Sequence, residues 1–335
     1  MKTHQIAFLM GDGVGPILCR ECEETLRLLA DRCGFQPEFK ELPFGKGAFE
    51  QSGDCLPPET VTAVESADGA LLFGVDSSGI PGATPVGRLR RDLKLYAELR
   101  EVQAYPNRWT VDPGIRVSFV REITEGFLCD RNLYRGAGEW MTDENTAMSM
   151  RVITYEASHR IARYAFDYAR KNAYKRVTAA HKATIFKMTC GMFLRACRDV
   201  AALYPEIDYE ESAVDDVAGR LVSEPGHYGV IVTTNLFGDI LSDVGSALVS
   251  GQCVGVNIGA QGKVYMPVSH SAAFRQLEED VFDAVPALLS AVRLLKDVGE
   301  MEGQALLQQA VIQTDMETHL CGKAFFRELN RRIAI

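Results

Sequence analysis

The stretch NLFGDILSD, residues 235–243, sets two aspartates, Asp239 and Asp243, four positions apart among Leu, Ile, Phe and Gly. If the chain after Gly238 is helical, that spacing puts both carboxylates on one face about one turn apart, where like charges repel unless something compensates them. A hard divalent cation such as Mg²⁺ or Mn²⁺ is one compensator, because it takes carboxylate oxygens from the protein and completes its shell with water and substrate. The plainer reading keeps the first acid at the positive end of a helix dipole and turns the second to solvent.

Three arginines invite a similar choice. Arg90 and Arg100 flank RDLKLYAEL and Arg121 ends VSFV, each beside apolar residues that draw it towards a core. Guanidinium forks grip carboxylates bidentately, so three on one site would suit a di- or tricarboxylic acid. Taken singly, each also suits a surface ion pair with the abundant acids. Lys182 in AAHKAT and Asp215 in SAVDDVAG stay equally open when read one at a time.

These residues hang on alternating strand and helix signals. QIAFLM reads as a buried strand, GDGVGP as a turn and residues 16–31 as an amphipathic helix; GALLFGV (69–75) is a further strand, and PVGRLRRDLKLYAEL (85–99) reads as a helix. RVSFVRE, RVTAAHK and GVIVTTN read as strands, with helices over 156–172, 187–203, 239–249, 276–297 and 300–313. Such alternation implies an α/β fold with a largely parallel sheet, whose ligands gather at the carboxyl ends of the strands. The turn GDGVGP is not the dinucleotide fingerprint G-x-G-x-x-G, since Pro16 stands where the third glycine belongs and Gly15 falls one place early.

The bulk numbers narrow the class. A chain of 335 residues, 47% hydrophobic and 24% charged, can bury two sizeable cores. Its net charge of −9 argues against nucleic acid or an anionic membrane as partner and for a small ligand. The apolar run in MKTHQIAFLMGDG is too short for a signal peptide and no stretch is long enough to span a bilayer, so a cytoplasmic location is expected. Nine scattered cysteines fit reduced thiols, and the pair Cys19 and Cys22 reads as two thiols on a helix face.

Taken in order, GDGVGP, LRRDLKLYAELR, VREITEG, HKATIFK, VDDVAGRLV and TTNLFGDILSD resemble the motifs of the isocitrate and 3-isopropylmalate dehydrogenase family, the metal-dependent β-decarboxylating dehydrogenases, over about residues 5–250. The resemblance implies a two-domain, isopropylmalate-dehydrogenase-like α/β fold with a central largely parallel sheet. One domain would come from both chain ends, 1–95 and 249–335. The other, 96–248, would carry a dimer clasp, with the active site in the cleft between them. Asp239 and Asp243 would join Asp215 of the neighbouring subunit around Mg²⁺ or Mn²⁺. The substrate would be a malate-type (2R)-hydroxy acid, oxidised at C2 by NAD⁺ or NADP⁺ and then decarboxylated. Arg90, Arg100 and Arg121 would hold its carboxylates, and Lys182, from across a homodimer interface, would help remove the hydroxyl proton.

Substrate choice in that family is tuned before the first arginine. Here ATPVGRLR offers Thr84 as a hydroxyl, Val86 as an apolar wall and Gly87 as space, while Arg88 points nearly opposite Arg90 as a solvated or dimer-side charge. On the cofactor side the resemblance assigns Phe73, Gly74, Ser269, His270, Ser271, Phe274 and Asp283. Two departures stand out. Leu128 occupies the place of the family's proton-donating tyrosine, with Tyr134 six residues on, and the cofactor loop is altered. The alternative to an active dehydrogenase is therefore a regulatory or binding paralogue that holds metal and carboxylate without turnover.

Overall fold

The computed structural model describes residues 2–127, 138–268 and 281–335. The chain opens with the buried strand β1 (Thr3–Leu9), which enters the GDGVGP turn and then α1 (Gly15–Cys33). In the turn Gly11 takes φ +62°, and a Cβ there would lie 2.1 Å from the Gly74 carbonyl oxygen, so only glycine fits. Pro16 stands in the first turn of α1, where its missing N–H leaves no helical bond unmade, and a left-handed Gly34 closes the helix by donating to the Ala30 carbonyl at 2.8 Å. Leu18, Cys22, Leu26 and Leu29 make the buried stripe. Cys19 and Cys22 are free thiols inside that packing, both pushed up by burial.

Next come β2 (Gln36–Leu42), α2 (Lys46–Ser52), α3 (Pro58–Ser66) and β3 (Gly69–Leu72). The strand expected over 69–75 stops at Leu72, and Gly74 instead accepts the Asp12 N–H at 3.0 Å. The helix expected over 85–99 is also shorter: α4 covers Pro85–Asp92, and Lys94, at φ 52°, breaks it. The chain continues as β4 (Ala97–Gln103), buried on both faces and paired antiparallel with β5 (Arg116–Glu122). Leu95, Ala97 and Leu99 suit either period when read locally, and the pairing with β5 decides for a strand.

The hairpin β6 (Glu139–Asp143) and β7 (Thr146–Ser149) is exposed along its whole length. Alternation then resumes with α5 (Tyr155–Lys171), β8 (Arg176–His181), α6 (Lys187–Ala201), β9 (Asp208–Ala213), α7 (Val214–Ser223), β10 (Val230–Thr233) and α8 (Asn235–Ala247). The expected helix over 239–249 thus starts four residues earlier, at Asn235. The chain ends with β11 (Val254–Ile258), β12 (Lys263–Pro267), α9 (Val285–Val298), α10 (Met301–Glu317) and α11 (Gly322–Ala334).

Two compact units result. Met1–Lys94, Pro106–Arg108 and Gly251–Ile335 form the first, Leu95–Tyr105 and Trp109–Ser250 the second. Strands of the first run in the order β2-β1-β3-β12-β11, parallel except for the β11–β12 pair. Those of the second run β4-β5-β10-β8-β9, parallel except for β4–β5. The architecture is α/β with mostly parallel strands. Among the described residues no helix is long and apolar enough to cross a membrane.

Candidate active site

Strand β4 presents Glu98 and Arg100 on one face, because alternate residues of a strand point the same way. Antiparallel register sets Glu98 directly opposite Arg121 on β5. All three side chains are buried, Glu98 to 2% exposure. The Glu98 carboxylate accepts from Arg100 Nε at 3.1 Å and from Arg121 Nη1 at 2.9 Å, tying the two guanidiniums together.

Helix α8 closes the cluster from its first two turns. Asn235 Oδ1 accepts from Arg121 Nε and Nη2 at 3.0 and 2.7 Å, while its Nδ2 donates to the Glu125 carbonyl at 2.9 Å. Asp239 accepts from Arg121 Nη1 and from Arg100 Nη2, the latter at 3.4 Å, and Asp243 accepts from Arg100 Nη1. Gly238 makes this approach possible: a Cβ there would sit 2.7 Å from Arg121 Cγ. Burial on its own works against the Arg100 charge, but the Glu98, Asp243 and Asp239 carboxylates outweigh it and hold the guanidinium above its ordinary range.

Lys182 and Asp215 form a second centre in the same unit. The end of β8 and the first turn of α7 bring the Lys182 ammonium into a hydrogen bond with the Asp215 carboxylate, which that bond lowers below the usual range. Arg151 braces the base of Lys182. Its guanidinium lies over Phe186 at 4.8 Å and donates to Cys190 Sγ, and the same sulfur accepts the Lys182 N–H at 3.4 Å.

Asp239 and Asp243 offer hard oxygen ligands one turn apart, and both are exposed enough for a cation to reach. Among the described residues of one chain, however, no group of three His, Cys, Asp or Glu side chains could hold a metal ion. The two acids therefore fit half of a divalent site, and Asp215 stands apart from them with Lys182.

Comparison with known proteins decides what the arrangement belongs to. Residues 5–324 match the model of the isocitrate/isopropylmalate dehydrogenases. The chain belongs to the isocitrate/isopropylmalate dehydrogenase family. It is 38% identical over 315 residues to 3-isopropylmalate dehydrogenase of Archaeoglobus fulgidus, covering 93% of this chain and 92% of that protein. It is 33% identical over 314 residues to 3-isopropylmalate/3-methylmalate dehydrogenase of Methanocaldococcus jannaschii, covering 92% and 90%. The crystal structure of isocitrate dehydrogenase from Methylococcus capsulatus superposes with a TM-score of 0.89 at 29% identity, over 99% of this chain and 100% of that one.

The remaining candidates of this family member lie in the first unit or outside the described residues. Thr84 caps α4, its hydroxyl accepting the Gly87 N–H at 3.2 Å, and Val86 beside it is half-buried. Arg88 is part-exposed and pairs with Asp54 and Asp92 at 3.1 and 3.2 Å. Arg90 is buried, its Nε donating to Asn257 Oδ1 at 2.8 Å. Phe73 is fully buried against Phe8, which leaves only its backbone for a cofactor, and the Gly74 carbonyl is taken by Asp12. Asp283 accepts from Val285 N, Arg108 Nη1 and Gln252 Nε2 at 3.0–3.2 Å, so its carboxylate is spoken for at the start of α9. Ser269, His270, Ser271, Phe274, Leu128 and Tyr134 lie outside the described residues.

Sequence reasoning missed Glu98, Asn235 and Asp12. Asp12 collects the backbone N–H groups of Lys46, Gly47 and Asp76 at 2.8–3.0 Å and so ties the GDGVGP turn to two other loops. The signal for Glu98 was its place two before Arg100, visible only once the segment is read as a strand.

Proposed function

We propose that this protein oxidises a malate-type (2R)-hydroxy acid at C2 with NAD⁺ or NADP⁺ and, with Mg²⁺ or Mn²⁺ bound, decarboxylates the product. The observation that carries this reading is the cluster of Arg100 and Arg121 with Asp239 and Asp243, which sets carboxylate-binding forks beside cation-binding acids. Arg90, Arg100 and Arg121 hold and orient the substrate carboxylates. Lys182 takes the hydroxyl proton at Nζ as a neutral amine, a role that requires it first to give up a proton of its own and to leave the Asp215 carboxylate to which it now donates. Asp239 and Asp243 would hold the divalent cation, which would supply Lewis acidity, and a bound nicotinamide would supply the hydride acceptor. Leucine at position 128 cannot protonate the carbon left by CO₂, so water serves there.

The first turn of α4, Thr84 to Gly87, carries no cation, and Arg88 is held by Asp54 and Asp92. This favours malate or a 3-alkylmalate over a tricarboxylate, in line with the name of the Methanocaldococcus relative. A homodimer with shared sites completes the metal ligands: Asp215 and Lys182 of one copy serve Asp239 and Asp243 of the other. The exposed hairpin β6–β7, with Trp140 and Met148, and exposed Val222, Leu236 and Ile240 on α7 and α8 support such an interface.

Thermal shift with NAD⁺ and NADP⁺, with and without Mn²⁺, against (R)-malate, 3-methylmalate and isocitrate tests the reading, because a ligand of the folded state raises stability by RT ln(1 + [L]/Kd). Stabilisation by Mn²⁺ with a malate and by one nucleotide, together with reduced cofactor and CO₂ on turnover, is expected. Stabilisation by metal and malate with neither nucleotide would identify a binding protein, and no response to metal and malate would overturn the reading.

A further inference from the structure

Arg151 is half-buried, yet among the described residues it has no carboxylate partner. Its guanidinium lies over three rings instead, Phe186 at 4.8 Å, Phe237 at 5.4 Å and Phe127 at 5.6 Å, whose faces attract a cation. Its donors go to hydroxyls and sulfur: Nη1 to Thr189 Oγ1, Nη1 and Nη2 to Cys190 Sγ at 3.5 Å each, and Nη2 to Thr234 Oγ1 at 3.4 Å. Lys182 depends on the same few residues. It follows the last residue of β8, and its carbonyl accepts the N–H groups of Phe186 and Ile185 at 2.8 and 3.1 Å, while its own N–H donates to Cys190 Sγ at 3.4 Å. Both main-chain groups of Lys182 thus end on the segment that opens α6, and Arg151 grips that segment at Phe186, Thr189 and Cys190.

We propose that Arg151 is a positioning residue, acting through Phe186 and Cys190 to set Lys182 for the active site of the partner subunit. The proposal rests on the reading of Lys182 as the base of a shared site. Arg151 touches no reacting atom in that reading; it controls where the Lys182 backbone lies. A thiol is a weak acceptor, so the Cys190 sulfur is by itself a loose anchor for the Lys182 N–H. The cation among the rings, with donors to both Thr189 and Cys190, fixes the helical turn from which that sulfur projects. A displacement of about 1 Å at the root of the lysine is enough to cost roughly a hundredfold in a step that depends on alignment. Damage at Arg151 therefore falls on the other subunit's site, because the site built on the same chain's Asp239 and Asp243 takes its lysine from the partner. The rival route runs through Thr234, at the foot of α8, to the chain's own Asp239.

Two measurements test the proposal. The first needs no turnover: hydrogen exchange at the Lys182 amide, read from overlapping peptides that span it, in the natural full-length protein, Arg151→Met and Cys190→Val, with circular dichroism to check the fold. Exchange there should quicken at least about tenfold in both variants, since each loosens or removes the acceptor of that N–H. The second is subunit exchange followed by activity with Mn²⁺ and (R)-malate. The Arg151→Met homodimer should lose at least about tenfold in kcat with KM for malate within about twofold, because the arginines that hold the substrate are untouched. Arg151→Lys, which keeps a charge over the rings and loses the fork, should fall between. In heterodimers with Asp239→Asn, the Arg151→Met chain supplies the intact Asp239 and its partner the intact Lys182, so turnover should match that of Lys182→Ala/Asp239→Asn heterodimers; Arg151→Met paired with Lys182→Ala should show no such gain. Unchanged exchange at the Lys182 amide in both variants overturns the proposal, and so does failure of the Arg151→Met/Asp239→Asn pair to recover where the Lys182→Ala/Asp239→Asn pair does. Absence of turnover by the natural protein with either nucleotide, or of recovery in the Lys182→Ala/Asp239→Asn control, refutes the functional assignment instead, and hydrogen exchange then decides by itself whether Arg151 places Lys182.

Discussion

Replacement of Glu98 by leucine removes the one buried carboxylate that both arginines share, and the geometry sets the size of the effect. Glu98 is 2% exposed and accepts from Arg100 Nε and Arg121 Nη1 at 3.1 and 2.9 Å. Loss of one partner from a buried ionic group costs about 3–5 kcal/mol, because the remaining charge stays desolvated and uncompensated. Asp239, Asp243 and Asn235 still reach the two guanidiniums, which places Glu98→Leu near the lower end, about 3 kcal/mol. At roughly 2–4 °C per kcal/mol for units of some 150–250 residues, Tm should fall by about 6–12 °C. Glu98→Gln keeps an acceptor and loses the charge, so it should fall between the two.

A second readout separates this network from generic packing. In Glu98→Leu the carboxylates that the arginines keep are Asp239 and Asp243, so Mn²⁺, by taking those acids, leaves both cations without one. The rise in Tm on addition of Mn²⁺ should therefore be smaller in Glu98→Leu than in the natural protein. A Tm within a degree of the natural protein, or equal Mn²⁺ shifts in the two proteins, would refute the reasoning.

Three further outcomes are expected. Subunit exchange between inactive Lys182→Ala and inactive Asp239→Asn proteins should restore activity through one intact site per heterodimer, and no recovery despite demonstrated exchange would count against shared sites. Burial and the neighbouring Glu122 push the Glu125 carboxyl up to about 7 against the Thr154 donors, so the folded state holds a proton that the unfolded chain has already released. That contribution, at most about 3 kcal/mol, is complete below about pH 4.5 and lost as pH rises through about 7, and urea unfolding across this range should show a flatter dependence in Glu125→Gln. Finally, because leucine donates no proton, single-turnover experiments should show cofactor reduction running ahead of CO₂ release, and Leu128→Tyr should speed the second step more than the first; equal rates in the natural protein would remove Leu128 from the account.

The alternation of strands and helices was legible because each signal is confined to ten or twenty residues, and the spacing of Asp239 and Asp243 is likewise local to one helix. Errors arose where a decisive contact is distant in sequence. The run Leu93 to Leu99 carries apolar residues that suit a helix, and only the pairing of β4 with β5, some twenty residues on, makes it a strand. That misreading hid Glu98, whose partner Arg121 lies directly across the ladder. Phe73 shows a related dependence: its neighbours in GALLFGV place it near a strand end, whereas its side chain is buried beside Phe8 from another strand.

Gly238 joins the local and the distant parts of the site. A glycine inside a helix ordinarily reads as a weak point, since it costs roughly 0.5–1 kcal/mol relative to alanine. Here a Cβ would meet Arg121 Cβ and Cγ at 2.8 and 2.7 Å and Thr233 Cγ2 at 2.9 Å, so a methyl group would push α8 off β5. Asp239 is the next residue, and its bond to Arg121 depends on that close approach. Sequence spacing alone can set two acids on one face of a helix. What brings that face onto the arginines is the absence of a side chain at position 238, and its meaning emerges only when β5 is in place beneath it.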